Sequence, residues 1–159
     1  IKLYFPFRNK HTANRFITNN KCPLENLETL TDTNYKLIVK SQKDKLLMLR
    51  ILRELRINDV GVYVIASETA KLPDDIVDVL RKTTRIQVYV MLDTDNTGLT
   101  SAFEHEKNYG FIALFMTKGY SAKDPTDLVR ITDYNFVKKK FANMYLNEIV
   151  NGKKGGVVP

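Results

Sequence analysis

Residues 88–98 read Val-Tyr-Val-Met-Leu-Asp-Thr-Asp-Asn-Thr-Gly, and this is the most informative part of the chain about its architecture. The near-continuous apolar run before Asp93 is typical of a parallel strand that is covered on both faces. Two carboxylates one residue apart, Asp93 and Asp95, follow the run directly, and Gly98 precedes a helical pattern. Gly98 favours a backbone path that a side chain would obstruct. The stretch therefore predicts a strand that passes through an acidic loop into a helix.

Apolar runs and helical periods alternate on both sides of this stretch. The predicted elements are strands at 35–39, 60–66, 86–92 and 111–116, with helices at 44–55, from Pro73 onward, and at 99–109. Strands that alternate with helices favour a parallel sheet with right-handed crossovers. The fold class predicted is α/β, with a mostly parallel central sheet, helices on both faces and a short antiparallel N-terminal extension.

The domain organisation follows from these patterns. Residues 1–34 are predicted to form the N-terminal β extension, with strands at 2–7 and 15–19, and residues 35–132 form the core. Asp133 suits the cap of a closing helix over 133–150, and Pro125 suits the first turn of a helix capped by Asp124. The Gly-rich residues 151–159 are expected to be a flexible tail. We expect the chain to be a piece of a longer protein, since it opens on Ile1 in a strand-like stretch.

The chain carries 25 Lys and Arg against 18 Asp and Glu, a net charge of +7. Such an excess favours polyanions through counterion release, with affinity that falls as salt rises. Arg8, Lys10 and Arg15 are the basic residues that we expect to contact nucleic acid. A single cysteine cannot form an internal disulfide, and no apolar run approaches the ~20 residues of a membrane span. We therefore expect a cytoplasmic protein without a membrane partner.

Two carboxylates at a strand end favour a hard cation. Asp93 and Asp95 suit Mg²⁺ or Mn²⁺, which bind one or two carboxylates and complete their shell with water and phosphate. The alternative is structural, with Asp93 capping the helix and Asp95 in a turn. A calcium loop of the EF-hand type is excluded because that loop follows a helix. A phosphotransferase of the haloacid-dehalogenase type stays open, although its Asp-x-Asp-x-Thr motif opens the domain, whereas here two βα units precede it.

A second motif extends the pattern beyond the acidic loop. Lys123-Asp124-Pro125-Thr126-Asp127-Leu128 follows the last predicted strand, and the run 1–30 precedes the first. Together with Asp93-Thr94-Asp95, these features resemble the toprim domain of primases, topoisomerases and some nucleases, over about residues 1–130. Lys123-Asp124-Pro125 resembles the Lys-Asp-Pro-type element that follows the fourth strand in primases, and the run 1–30 resembles the lead-in segment of bacteriophage-type toprim primases.

The resemblance implies a set of site residues. Asp93, Asp95 and Asp124 would hold Mg²⁺ or Mn²⁺, and Lys123 would meet nucleotide phosphate. Asp127 is a weaker candidate, since it could serve only the first turn of its helix. The implied partners are a single-stranded DNA template, nucleoside triphosphates and a replicative helicase, in the host cytoplasm if the protein is viral.

The chain departs from the family at the end of the first core strand. The family's glutamate, the usual candidate general base, is Lys40 here, and the following glycine is Ser41. A protonated lysine cannot ligate a metal, but its ammonium can hold phosphate, as Lys43 also could. Glu68 is the predicted substitute, acting with Asp93 and Asp95 in catalysis, because its loop leaves the same edge of the sheet. Three functions stay open: primase, toprim-type nuclease and non-catalytic nucleic-acid-binding module.

Overall fold

A computed structural model describes residues 2–4, 16–18, 23–25 and 30–152, the first two segments as backbone only. The strands are β1 (Lys2–Tyr4), β2 (Phe16–Thr18), β3 (Leu24–Glu25), β4 (Thr33–Val39), β5 (Val60–Ile65), β6 (Thr84–Met91) and β7 (Ile112–Ala113). The helices are α1 (Gln42–Glu54), α2 (Asp74–Lys82), α3 (Asn96–Tyr109), α4 (Pro125–Ile131) and α5 (Tyr134–Met144), and α5 continues as a π-helical segment, Tyr145–Val150.

The central sheet has five strands in the order β3-β5-β4-β6-β7. β4 lies between β5 and β6 and is parallel to both, and β7 is parallel to β6. Only β3 runs antiparallel, on the outer side of β5. The prediction of an α/β fold with a mostly parallel sheet is therefore confirmed.

Within the described residues of the N-terminal segment, a single short strand belongs to the central sheet. β3 supplies the antiparallel edge strand, whereas β1 and β2 pair with each other as a separate two-stranded antiparallel sheet. β1 and β2 lie within the predicted strands at 2–7 and 15–19, and they form a sheet of their own instead of extending the central one. The other residues of these two predicted strands lie outside the described residues. Arg8, Lys10 and Arg15 lie outside the described residues, as does the tail from residue 153.

Helices cover both faces of the sheet, because alternate residues of each buried strand point to opposite faces. On one face, α1, α4 and α5 pack on residues such as Leu37, Val39 and Met91. On the other face, α2 and α3 pack on residues such as Ile38 and Val90. Because both faces of the sheet are buried, the sequences of the core strands are nearly continuous apolar runs and do not alternate between polar and apolar residues.

One buried residue of β4 is charged. Lys36 is fully buried, and its ammonium donates hydrogen bonds to the carbonyl oxygens of Thr31, at 2.9 Å, and Thr83, at 2.5 Å. Burial lowers the pKa of Lys36, against the charge of Asp32, which raises it. The lysine thus holds the two segments that lead into β4 and β6 at the amino end of the sheet.

The first residues of the helices agree with the predicted caps, except that Pro73 is displaced by one position. Asp124 and Asp133 cap α4 and α5, and each side chain accepts a hydrogen bond from the backbone N–H three residues on. Pro73 lies at the N-cap of α2, one position before the first helical residue at which it was predicted. β7 is shorter than the predicted 111–116, because after Ala113 the chain bends away into turns at 115–120.

The register of the sheet places three strand ends side by side. Val39, the last residue of β4, pairs with both Val64 of β5 and Met91 of β6. The residues that follow these strands therefore leave the sheet at the same carboxyl edge, where open α/β sheets bind their ligands. Lys40, Glu68 and Asp93 all belong to these three exits.

Candidate functional site

Lys40 joins two carboxylates at the carboxyl edge of the sheet. Its ammonium donates a hydrogen bond to Asp93 Oδ2 and lies 3.1 Å from Glu68 Oε2. The Asp93 side chain is 2% exposed and that of Lys40 is 32% exposed. The side chain of Glu68 is more buried than that of Lys40 and less than that of Asp93. The three residues, hereafter the Lys40 cluster, form a charged group that opens to solvent on the lysine side.

The two carboxylates of the Lys40 cluster stabilise the charged form of the lysine. Burial lowers the pKa of Lys40, but the interactions with Asp93 and Glu68 outweigh it, so the pKa of Lys40 is raised above its usual value. The lysine is therefore a cation at neutral pH. Its ammonium lies between Asp93, which the sequence predicted as a metal ligand, and Glu68, which it predicted as the catalytic substitute for the family's glutamate.

Asp95 has a different role from its neighbour. It caps α3, and its Oδ1 accepts a hydrogen bond of 2.9 Å from the backbone N–H of Gly98. The structural alternative assigned the helix cap to Asp93 and the turn position to Asp95. The structure shows the opposite: Asp93 is buried, and the exposed Asp95 caps the helix. Asp95 is not a member of the Lys40 cluster. The acidic loop follows β6, in line with the exclusion of a calcium loop of the EF-hand type.

Gly98 allows the first turn of α3 to pack on the acidic loop. A Cβ at this position would lie 2.2 Å from the backbone oxygen of Asp93. No side chain fits against a backbone atom at that distance, so the glycine fixes how closely α3 approaches Asp93. Gly98 is thus required because there is no room for a Cβ atom beside the Asp93 backbone, and not because its backbone adopts a positive φ angle.

A second charged group lies where α1 and α4 begin. Lys43 Nζ lies 2.6 Å from Asp124 Oδ2 and 3.9 Å from Asp127 Oδ1. The other oxygen of Asp124 accepts a hydrogen bond of 2.7 Å from the backbone N–H of Asp127. Both oxygens of Asp124 therefore have protein partners, which gives this residue a structural task at the start of α4.

Asp44 is a buried acid to which the sequence analysis gave no role. It accepts hydrogen bonds from the hydroxyls of Ser41 and, at 2.7 Å, Thr126. Burial raises the pKa of Asp44, although the two hydrogen bonds lower it. The Ser41-x-x-Asp44 spacing, an acid three residues after a capping serine, is the signal that could have identified it.

Thr94 holds the acidic loop against the segment that leads into α4. Its backbone N–H donates to the carbonyl oxygen of Lys123 at 2.8 Å, and its hydroxyl lies 2.9 Å from that of Thr117. The side chain of Lys123 is exposed, so the predicted phosphate contact is sterically open. These contacts hold the acidic loop next to the segment that carries Asp124.

His105 lies beneath the loop that carries Glu68. It is buried, stacks on Phe111 and hydrogen-bonds to the backbone of Glu68. Burial lowers the pKa of His105 in spite of that hydrogen bond. The sequence offered no partner for this histidine, since the contact depends on the packing of α3 against the end of β5.

Two carboxylate oxygens of the Lys40 cluster are of the type that ligates a hard cation. Asp93 Oδ1 and Glu68 Oε2 are buried and have no hydrogen-bond partner in the described part of the chain. Glu68 Oε2 meets Lys40 as an ion pair without hydrogen-bond geometry. Carboxylate oxygens are the ligands that Mg²⁺ and Mn²⁺ prefer. Within the described residues, no three acidic, histidine or cysteine side chains are grouped closely enough to enclose a metal ion.

Comparison of the chain with protein-family models, curated proteins and solved structures found no match. No helix in the described segments is long and apolar enough to cross a lipid bilayer.

Proposed function

We propose that this chain is a metal-dependent nucleic-acid enzyme of toprim type, the catalytic core of a DNA primase. The observation that carries the proposal is the convergence of Lys40, Glu68 and Asp93 at the carboxyl ends of three neighbouring parallel strands. Ligands of open α/β sheets bind at this edge. Buried carboxylates grouped with a cation in such a position are a candidate for catalysis rather than for folding alone.

Asp93 and Glu68 would hold Mg²⁺ or Mn²⁺ through the two carboxylate oxygens that lack hydrogen bonds. When bound, the metal supplies positive charge that stabilises a transferring phosphoryl group. Asp95 is exposed at the start of α3 and keeps one oxygen outside its capping hydrogen bond, so it would accept a metal-bound water. Asp124 would act indirectly, by fixing α4 and Lys43.

The lysines of the site would bind phosphate. Lys40 reaches both the buried carboxylates and solvent, so its ammonium suits a phosphate that approaches from outside. Lys43, in the first turn of α1, and Lys123, just before α4, also have exposed side chains. We propose nucleoside triphosphates and a single-stranded DNA template as the ligands, and a replicative helicase as a partner in the cytoplasm. The net charge of +7 supports a polyanionic partner.

The second candidate is a non-catalytic nucleic-acid-binding module. The ion pairs of Lys40 favour it, because an ammonium between Asp93 and Glu68 neutralises these carboxylates without any metal. In this candidate Lys40 replaces the divalent cation permanently, and the domain binds nucleic acid without chemistry. The replacement of the family's glutamate by Lys40 is consistent with this function.

Primer synthesis on single-stranded DNA, with nucleoside triphosphates and Mg²⁺ or Mn²⁺, tests the proposal. We expect Glu68→Gln and Asp93→Asn to lower the rate by about a hundredfold or more, since each removes a carboxylate that would hold the metal against the transferring phosphoryl group. The matched control is Glu106→Gln, an exposed acid on α3. Thermal unfolding of each variant shows whether the fold is kept.

The outcomes separate the candidates. Primer synthesis that survives Glu68→Gln and Asp93→Asn would refute the proposed site. Metal-dependent cutting without nucleotides would identify a nuclease in place of a primase. A wild-type chain that binds single-stranded DNA, does not bind Mn²⁺ and makes no primers would establish the binding module.

A further inference from the structure

A groove with aromatic walls lies beside the candidate site, between α3 and the turns that follow β7. It encloses about 380 Å³, within the roughly 300–1,000 Å³ of ligand pockets. This aromatic groove is lined chiefly by Thr94, Leu99, Phe103, Phe115, Thr117 and Tyr120. The groove is separate from the Lys40 cluster, and the proposed function makes no use of it.

The aromatic groove exposes rings that a folded chain would otherwise bury. Phe103 is 54% exposed and Tyr120 is 40% exposed. Phe103 packs its remaining surface against Phe115, with the ring centroids 5.7 Å apart. Single exposed apolar residues need no explanation, but aromatic rings grouped around one concavity indicate a binding surface.

The rings at the other wall are held in place. Tyr120 meets the edge of Phe136 with centroids 5.7 Å apart, and Lys140 Nζ lies 4.7 Å from the centroid of the Tyr120 ring. The Tyr120 backbone is fixed by a hydrogen bond from its N–H to Thr117 O at 3.0 Å. An ordered aromatic wall loses little conformational entropy when it binds a ligand.

The charge around the groove is positive. Lys118 lines it, Lys140 Nζ lies over the ring of Tyr120, and Lys123 follows a few residues after Tyr120 with an exposed side chain. Of the residues that line the groove in the described part of the chain, none is acidic. Aromatic rings combined with lysines are the arrangement by which proteins bind unpaired nucleotides, with rings for the bases and ammonium groups for the phosphates.

The groove reaches the acidic loop, although no residue of the Lys40 cluster lines it. Thr94 lines it and lies in sequence between Asp93 and Asp95, and its hydroxyl lies 2.9 Å from that of Thr117 on the groove floor. A strand bound in the groove would therefore pass next to the acidic loop. An apolar protein segment would gain nothing from the surrounding lysines, so the charge favours nucleic acid as the occupant.

We infer that the aromatic groove binds an unpaired base of a single-stranded nucleic acid, stacked on Phe103 and Tyr120, with Lys118 and Lys140 at the flanking phosphates. The inference rests on the proposed function only in taking nucleic acid as the ligand. It requires neither metal nor catalysis, so it also applies to the binding-module candidate.

Two labelled oligonucleotides test the inference by fluorescence anisotropy at low salt with EDTA present. One is oligothymidylate, and the other is a fully abasic strand of the same length, which keeps the phosphates and lacks the bases. We expect Phe103→Leu to weaken oligothymidylate binding about tenfold and to leave abasic binding unchanged, because leucine keeps the apolar surface but cannot stack. Phe103→Trp should keep or improve the affinity. Leu46→Ala, at an exposed apolar residue of α1, is the matched control.

Lys118→Ala tests the phosphate contact separately. It should weaken the binding of both oligonucleotides and lower the slope of log affinity against log salt by about one unit. Lys82→Ala, at an exposed lysine on α2, should change neither.

Equal affinity of the wild type for the two oligonucleotides would overturn the inference, as would unchanged oligothymidylate binding in Phe103→Leu. A change in sedimentation of Phe103→Leu with unchanged affinity for DNA would assign the groove to contact between copies of the chain. Failure of the proposed function would appear elsewhere, as primer synthesis that survives Asp93→Asn, and would leave these metal-free measurements unaffected.

Discussion

Lys40 donates a hydrogen bond to Asp93 across the carboxyl ends of two neighbouring parallel strands. The exposure of the two side chains is unequal, 32% for the lysine and 2% for the aspartate. The buried partner therefore depends on the exposed one for its charge compensation. Removing a single partner from such a pair costs more than the pair itself contributes, because the remaining charge stays buried.

We expect Lys40→Met to lower the free energy of unfolding by about 2 kcal/mol, less than for a fully buried pair because Lys40 is partly in water. The same change should tighten Mn²⁺ binding, since it removes the ammonium that competes with the metal for Asp93 and Glu68. Urea unfolding with and without Mn²⁺ measures both effects. The double variant Lys40→Met with Asp93→Asn should recover most of the lost stability and bind no Mn²⁺. A Lys40→Met variant as stable as the wild type would show that the ion pair does not contribute to the free energy of unfolding.

The packing of α3 on the acidic loop gives a second prediction. Gly98→Ala should lower the free energy of unfolding by about 3 kcal/mol, because its Cβ would meet the Asp93 backbone oxygen at 2.2 Å and neither atom can rotate away. The helix propensity of alanine would offset only about 1 kcal/mol. Gly152→Ala is the matched control, since its Cβ would find only Asn147 O at 3.8 Å. Equal urea midpoints for the two variants would contradict the packing described for Gly98.

Much of the fold could be predicted from the sequence, because the strands are marked by their apolar runs. The strands β4, β5 and β6 lie within two residues of their predicted bounds, and Asp124 and Asp133 cap helices as their spacing indicated. The length of β7 was overestimated, since an apolar run does not show at which residue the strand stops pairing with its neighbour in the sheet. The burial of Lys36 could not be predicted from the sequence, because its ammonium is bound by backbone carbonyl groups, one of which, that of Thr83, is distant in sequence.

The candidate site could be predicted only in part. That Lys40, Glu68 and Asp93 leave one edge follows from parallel strands, and the structure brings these three side chains together. The sequence could not show that the ammonium bridges the carboxylates, which depends on side-chain rotamers. It also could not decide which acid caps α3, because that depends on where the helix begins. Asn96 opens the helix, and Asp95 is therefore the cap.

A third prediction concerns the link between α1 and α4. Thr126→Val should lower the free energy of unfolding by about 1.5–3 kcal/mol, because it removes a hydrogen bond to the buried carboxylate of Asp44. It should also raise the pKa of Asp44 further, since that hydrogen bond favours the charged form. Thr126→Ser keeps the hydroxyl and is the control for both urea unfolding and the NMR titration of Asp44. An unchanged Asp44 titration in Thr126→Val would disprove the contact.

The last prediction concerns the alkaline limit of stability, far from the candidate site. Tyr145 donates a hydrogen bond of 2.9 Å to Asp59 Oδ1, and its pKa is raised above the usual 10 by burial first and then by the bond and charge of Asp59. A group whose folded-state pKa is raised contributes stability that is complete below its unfolded pKa and is lost as pH rises through the folded one. The free energy of unfolding should therefore fall above about pH 10, and Tyr145→Phe should reduce the slope of that fall.

The same substitution at pH 7 should cost about 1.5 kcal/mol or more, because Asp59 loses a hydrogen bond in a partly buried place. Asp59→Asn alone and the double variant complete a thermodynamic cycle that isolates the coupling between the two side chains. Urea unfolding at neutral pH and at several pH values above 10 provides the data. A cycle with zero coupling energy, or identical alkaline slopes for the wild type and Tyr145→Phe, would rule out this hydrogen bond as a source of stability.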